Sequence, residues 1–140
     1  MNNEMSLTFK ALSINESFAR ASVAAFCLQA NPSLDEITDV KTAVSEAVTN
    51  SIVHGYGGEK GTINIFVGIK ENVVYIKISD RGVGIDDIEK AKQPFFTTKS
   101  KEERSGMGFT IIENFMDEMK VESIVGMGTK VYMKKYIKEA

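Results

Sequence analysis

The chain has 140 residues and a mass of 15.4 kDa, with 43% hydrophobic and 26% charged residues, the balance of a globular protein and not of a disordered or collagen-like one. At ~100–200 residues per domain, 1–140 reads as one domain, large enough to bury ~68% of its unfolded surface without staples. Lys and Arg number 17 against 19 Asp and Glu, leaving a formal charge of −2 and a pI near 5.5, so the chain lacks the overall positive field of a non-specific nucleic-acid binder.

Met1 to Lys10 has no basic stretch followed by an apolar one, so no export signal is read there and a cytoplasmic protein is expected. Ser6 to Ala11 alternates as a strand does. Asn15 to Gln29 follows with Phe18, Ala21, Ser22, Ala25 and Phe26 at helical spacing. Glu16 and Arg20, one turn apart, are expected to point away from the Phe18, Ala21 and Ala25 stripe. Such an exposed pair could dock a protein, although a solvated ion pair of ~0.3–0.5 kcal/mol is the plainer account. The longest apolar run, Val23 to Leu28, is far short of the ~20 residues that span a bilayer. Cys27 lies inside that run and reads as core. As the only cysteine, beside the single His54, it permits neither a disulfide nor a Cys/His zinc cluster within the chain.

Asn31-Pro32 breaks the first helix, and Ser33 with Glu36 has the spacing of a capping box that starts a second. Ile37, Val40, Val44, Ala47, Val48 and Ile52 place an apolar stripe along it, and His54-Gly55-Tyr56-Gly57-Gly58 ends it. Ile63, Ile65, Val67 and Ile69, a Glu71-Asn72 turn, then Val74, Ile76 and Ile78 predict an antiparallel hairpin with one buried face. Beyond Asp80 the pattern dissolves into glycines and a long charged stretch, Pro94 to Ser105, of the kind that is either a functional lid or disordered. Phe109, Ile112, Phe115, Met116 and Met119 return to helical spacing. Val121 to Val125 and Thr129 to Tyr136 flank Gly126-Met127-Gly128 as a second hairpin. The expected fold is an α+β two-layer sandwich, a mixed, mainly antiparallel sheet with helices on one face.

Four short elements carry polar groups suited to chemistry. Glu46 and Asn50 are one turn apart on the second helix and share a face. Alone they describe a solvated flank; with other groups converging they supply a general base and a hard-cation ligand. Asp80-Arg81-Gly82-Val83-Gly84 leaves a strand directly, with two glycines that let backbone approach a flat ligand and a carboxylate that can accept from an exocyclic amine such as that of adenine. It reads equally as a plain turn. Ser105-Gly106-Met107-Gly108 opens the Phe109 helix, either as a simple cap or as a ring of free amides for phosphate oxygens. Gly126-Met127-Gly128-Thr129 reads most simply as a hairpin turn. No third glycine completes a dinucleotide fingerprint, because position 87 is Asp, and no Gly-Lys dipeptide forms a phosphate-binding P-loop.

In this order, with Pro94-Phe95-Phe96-Thr97-Thr98-Lys99 as a lid segment, the motifs resemble the Bergerat (GHKL) ATP-binding fold shared by gyrase, the Hsp90 chaperones, histidine kinases and MutL. The likeness runs over nearly the whole chain and is greatest to the small stand-alone anti-sigma factor serine kinases, through Glu46-Ala47-Val48-Thr49-Asn50-Ser51 and Asp80-Arg81-Gly82-Val83-Gly84-Ile85. The resemblance implies ATP or ADP and Mg²⁺ as cofactors. By it Glu46 is the catalytic base, Asn50 the Mg²⁺ ligand and Asp80 the adenine reader beside Gly82 and Gly84. Ser105, Gly106, Met107 and Gly108 form the phosphate loop, Thr97, Thr98 and Arg104 belong to the lid, and Thr129 supports the adenine end through its hydroxyl. It further implies a homodimer, a sigma factor as bound partner and an anti-anti-sigma factor as the protein phosphorylated on serine, with Glu16 and Arg20 offered as partner contacts. Two alternatives remain: a nucleotide-gated binding module without catalysis, which the presence of Glu46 disfavours, and a histidine autokinase, for which His54 is the only acceptor.

Overall fold

The structure, a computed structural model, describes residues 2–88, 92 and 108–138. In chain order its elements are β1 (Asn2–Lys10), α1 (Ile14–Cys27), α2 (Leu34–Asn50), β2 (Thr62–Lys70), β3 (Val73–Asp80), α3 (Gly108–Phe115), β4 (Glu118–Ile124) and β5 (Gly128–Tyr136). Branched apolar residues at every second position build the sheet: Ile63, Ile65, Val67 and Ile69 of β2 and Val74, Ile76 and Ile78 of β3 all turn one way and are buried. Glu71, at a left-handed φ of 55°, turns β2 into β3 in a register running from Lys70↔Val73 to Ile63↔Asp80.

The strands lie in the order β1-β2-β3-β5-β4. Each of the four pairings is antiparallel, so the described sheet is purely antiparallel where a mixed one was expected. β1 starts at Asn2, ahead of the expected Ser6. Its polar first residues pair through backbone groups with Gly68 to Lys70, and ladder bonds do not depend on side-chain alternation. Conversely α3 stops at Phe115, and Met119 lies in β4. There the Asp117 amide donates to the Lys134 carbonyl at 2.9 Å and the Asp117 carboxylate accepts from the Tyr136 amide at 2.6 Å, so β5 captures residues whose spacing alone would continue the helix.

The helices cover one face of the sheet, as expected. α2 is capped at Ser33, whose hydroxyl accepts from the Glu36 amide at 3.1 Å while the Glu36 carboxylate accepts from the Ser33 amide at 2.8 Å. Its stripe of Val40, Ala43, Val44, Ala47 and Val48 is fully buried, each larger side chain contributing ~1.5–3 kcal/mol. α1 corrects its expected orientation. Ala19, Val23 and Cys27 face the core, whereas Phe18 is 54% exposed and Ala21 and Ala25 are exposed. Both stripes have helical period; the one built of Ala19, Val23 and Cys27 keeps the bulky Phe18 ring out of the contact between α1 and α2. Glu16 and Arg20 accordingly flank the buried stripe and are not opposite to it, and their charges pair at 3.6 Å. Burial raises the Cys27 thiol to about 12, in keeping with an inert core residue. No helix among the described residues is long and apolar enough to cross a membrane.

Candidate functional site

The last turn of the second helical segment widens. From Ser51 to Gly55 the backbone is π-helical, and the Tyr56 amide reaches back to the Ser51 carbonyl at 2.9 Å; such i→i+5 turns recur where a helix must place side chains for function. The Ser51 hydroxyl donates to Oδ2 of Asp80 at 2.7 Å, and the Gly82 amide donates to Oδ1 at 2.9 Å. Asp80 is only 8% exposed. A carboxylate offers about four lone-pair positions, so these two bonds orient Asp80 and leave it able to accept from a ligand.

The loop beyond Asp80 is held on both sides. The Val83 amide donates to the Gly55 carbonyl and the Gly126 amide to the Val83 carbonyl, each at 2.8 Å. Gly82 passes so close to the π turn that a Cβ there would lie 2.1 Å from the Gly55 carbonyl oxygen, and Gly84 turns at a φ of +80° against the Ile124 backbone. Only glycine fits either place. Thr129 is the cross-strand partner of Asp80 and is buried. Its hydroxyl lies 2.8 Å from that of Ser123, which accepts from the Ile85 amide at 2.7 Å and donates to the Gly128 carbonyl at 3.1 Å. The Gly126–Gly128 turn therefore does more than reverse the chain: it closes one wall around Asp80.

Glu46 and Asn50 lie half-buried in the last turns of α2, Asn50 directly before Ser51. Gly108 is the buried first residue of α3, which packs against α2. The fold thus gathers Ser51, Asp80, Gly82 and Thr129 by direct bonds or pairing, with Asn50 and Glu46 on the helix that leads into them. Thr97, Thr98, Arg104, Ser105, Gly106 and Met107, with the whole Pro94 to Lys99 lid segment, lie outside the described residues. Glu16 and Arg20 belong to α1 and take no part in these contacts. His54 lies in the π turn, the helix-end position expected of it. Three participants carry no role in the sequence reading. Ser51 had a signal in its place beside Asn50; Ser123 and the Gly55 carbonyl had none, because a lone serine in an alternating strand and a backbone oxygen look like any other.

A two-layer sandwich that buries an acid at the end of a central strand, between a glycine loop and the end of a helix, defines a class. The profile of the histidine kinase-like ATPase domain matches residues 9–135, and the chain belongs to that family. Within it, the chain is 61% identical over 138 residues to the anti-sigma F factor of Geobacillus sp. (strain WCH70), covering 98% of this chain and 94% of that protein. It is 56% identical to the anti-sigma F factor of Priestia megaterium, over 98% and 95% of the two chains. To that of Bacillus licheniformis it is 53% identical, over 100% and 97%.

Proposed function

We propose that this chain is a cytoplasmic anti-sigma factor that binds and inhibits a sporulation sigma factor of the F type and, as an ATP-dependent protein serine kinase, phosphorylates a serine of its anti-anti-sigma antagonist. The observation that carries the nucleotide reading is the buried Asp80 carboxylate, held by Ser51 and Gly82 with acceptor positions to spare. That free acceptor capacity fits the exocyclic amine of adenine, and the near-full-length likeness to anti-sigma F factors supports the regulatory role.

In this reading Asp80 takes the base, with Thr129 behind it and Gly82 and Gly84 along its side. By the resemblance, Gly108 with Ser105, Gly106 and Met107 is assigned to phosphate binding, and Thr97, Thr98 and Arg104 to the lid. Asn50 offers an amide oxygen to Mg²⁺. Mg²⁺ commonly takes one or two protein ligands and completes its shell with substrate phosphates and water, a habit that a single amide oxygen at Asn50 suits. Bound Mg²⁺-ATP supplies the phosphoryl group and the charge neutralisation across it. Glu46 accepts the proton of the incoming serine hydroxyl.

The exposed face of α1 supports a homodimer. Ile14, Phe18, Ala21, Ala25 and Leu28 form one apolar stripe on the outside of the helix, and β1 lies at the edge of the sheet. Arg20, paired with Glu16 at the flank of the buried face of α1, is the proposed contact for the sigma factor or the antagonist. Unchanged affinity for both in Arg20→Ala removes that assignment.

Incubation with γ-labelled ATP, Mg²⁺ and a candidate antagonist, with Glu46→Gln in parallel, tests the whole. Label on a partner serine that is absent with the variant is expected. Label on His54 would instead indicate a histidine kinase, and tight ATP binding without transfer a nucleotide-gated binding module.

A further inference from the structure

Strands β2 and β3 part company at a defined place. Their last pair is Ile63↔Asp80, so the next rung would join Thr62 to Arg81. A side chain occupies that rung instead. The Tyr56 hydroxyl accepts from the Arg81 amide at 2.8 Å and donates to the Thr62 carbonyl at 2.5 Å. Both backbone groups stay satisfied, as groups at a sheet end must be, while the strands are held one hydroxyl apart and Arg81 is turned out of the ladder. The ring is itself fixed: it lies against Gly61, where a Cβ would come within 2.3 Å of a ring carbon. Its own backbone closes the π turn that carries Ser51. One residue therefore ties together the turn holding one oxygen of Asp80 and the loop whose Gly82 amide holds the other.

We propose that Tyr56 is a positioning residue for base recognition: its hydroxyl replaces the sheet rung after Asp80 and thereby sets where the Asp80 carboxylate and the Gly82 loop stand relative to the base. This rests on Asp80 as the reader of an exocyclic amine. Tyr56 touches no ligand in this role and acts through Arg81 and Asp80. Its effect belongs to ligands carrying that amine and not to phosphate binding.

The test compares equilibrium binding of ATP with that of purine riboside triphosphate, which lacks the amine, to wild type and to Tyr56→Phe. The Phe ring still fills the space against Gly61. Wild type is expected to prefer ATP. In Tyr56→Phe the ATP affinity falls about tenfold, as loss of one orienting hydrogen bond allows, and the affinity for purine riboside triphosphate does not change. Equal loss for both ligands means a general structural role and overturns the proposal, as does unchanged ATP affinity. If wild type fails to distinguish the two ligands, the reading of Asp80 itself is wrong and the proposal goes with it. Amide exchange in the unaltered protein gives an independent check: Arg81, although beyond the ladder, should be protected like a strand residue, and fast exchange there contradicts the bridging hydroxyl.

Discussion

Glu46 and Asn50 occupy neighbouring turns of one helix yet have separable duties. Glu46→Gln should retain ATP binding while phosphotransfer falls ~10²–10⁴-fold, the usual contribution of a positioned base. Asn50→Ala should weaken Mg²⁺-dependent nucleotide binding itself. Isothermal titration beside a transfer assay separates the two, and equal loss of binding in both contradicts the division. For Gly82→Ala the added methyl would meet the Gly55 carbonyl at 2.1 Å, and since both parties are backbone the loop must move. ATP affinity is expected to fall more than about tenfold with little change in helix content, read by titration and circular dichroism. Asp80, Gly82 and Thr129 stand out only through the joint order of the four motifs, since Asp80 to Gly84 alone reads equally as a plain turn and Gly126 to Thr129 as a hairpin turn. Ser123 does not, because its importance lies in reaching Ile85 and Thr129 across a turn, a relation that exists only once β4 and β5 are paired.

Helix α2 is tied down in its first two turns by contacts of two kinds. At its start, the Glu36 carboxylate meets opposing influences: burial would raise its pKa. The amides of Lys138 and Ser33 and the Ser33 hydroxyl bind the ionised form and prevail, so the pKa lies below the ordinary 4.5. A lowered folded pKa means stability that is present above the unfolded value and lost as pH falls through the folded one. Wild type should therefore lose stability between about pH 4.5 and lower values more steeply than Glu36→Gln, as denaturant midpoints across an acid series would read. Near the C-terminal end of β5, Lys135 points inward, donating to Asp39 of α2 at 3.0 Å and to the Phe115 carbonyl at the end of α3 at 2.7 Å. Lys135→Met should cost about 1.5–3 kcal/mol, the worth of hydrogen bonds to a charged group, as a shift in the urea midpoint at unchanged slope. The capping box was readable from Ser33 and Glu36 alone, since its partners are three residues apart. The Lys135 latch spans 96 residues, and the lysine looks like any polar strand position until the sheet places it under two helices.

At the scale of the whole molecule the exposed α1 stripe carries the consequence. Ile14 is 81% and Leu28 59% exposed on the same face as Phe18, a clustering of exposed apolar side chains of the kind that marks interaction surfaces. Phe18→Glu should shift the sedimentation profile toward monomer at fixed concentration, and an unchanged profile would assign this face to another partner. The elements, their kinds and most of their order follow from the sequence by itself: period-2 and period-3.6 patterns, caps and turn residues are local, and two-layer packing is among the few ways to bury those faces together. The four motifs were likewise visible as short strings. Only the tertiary structure decided which of two apolar stripes α1 buries, where α3 yields to β4, and that a tyrosine hydroxyl supplies the rung after Asp80. Each is a competition between contacts distant in the chain, won by packing distance or by backbone groups finding partners, and neither quantity is written in local spacing.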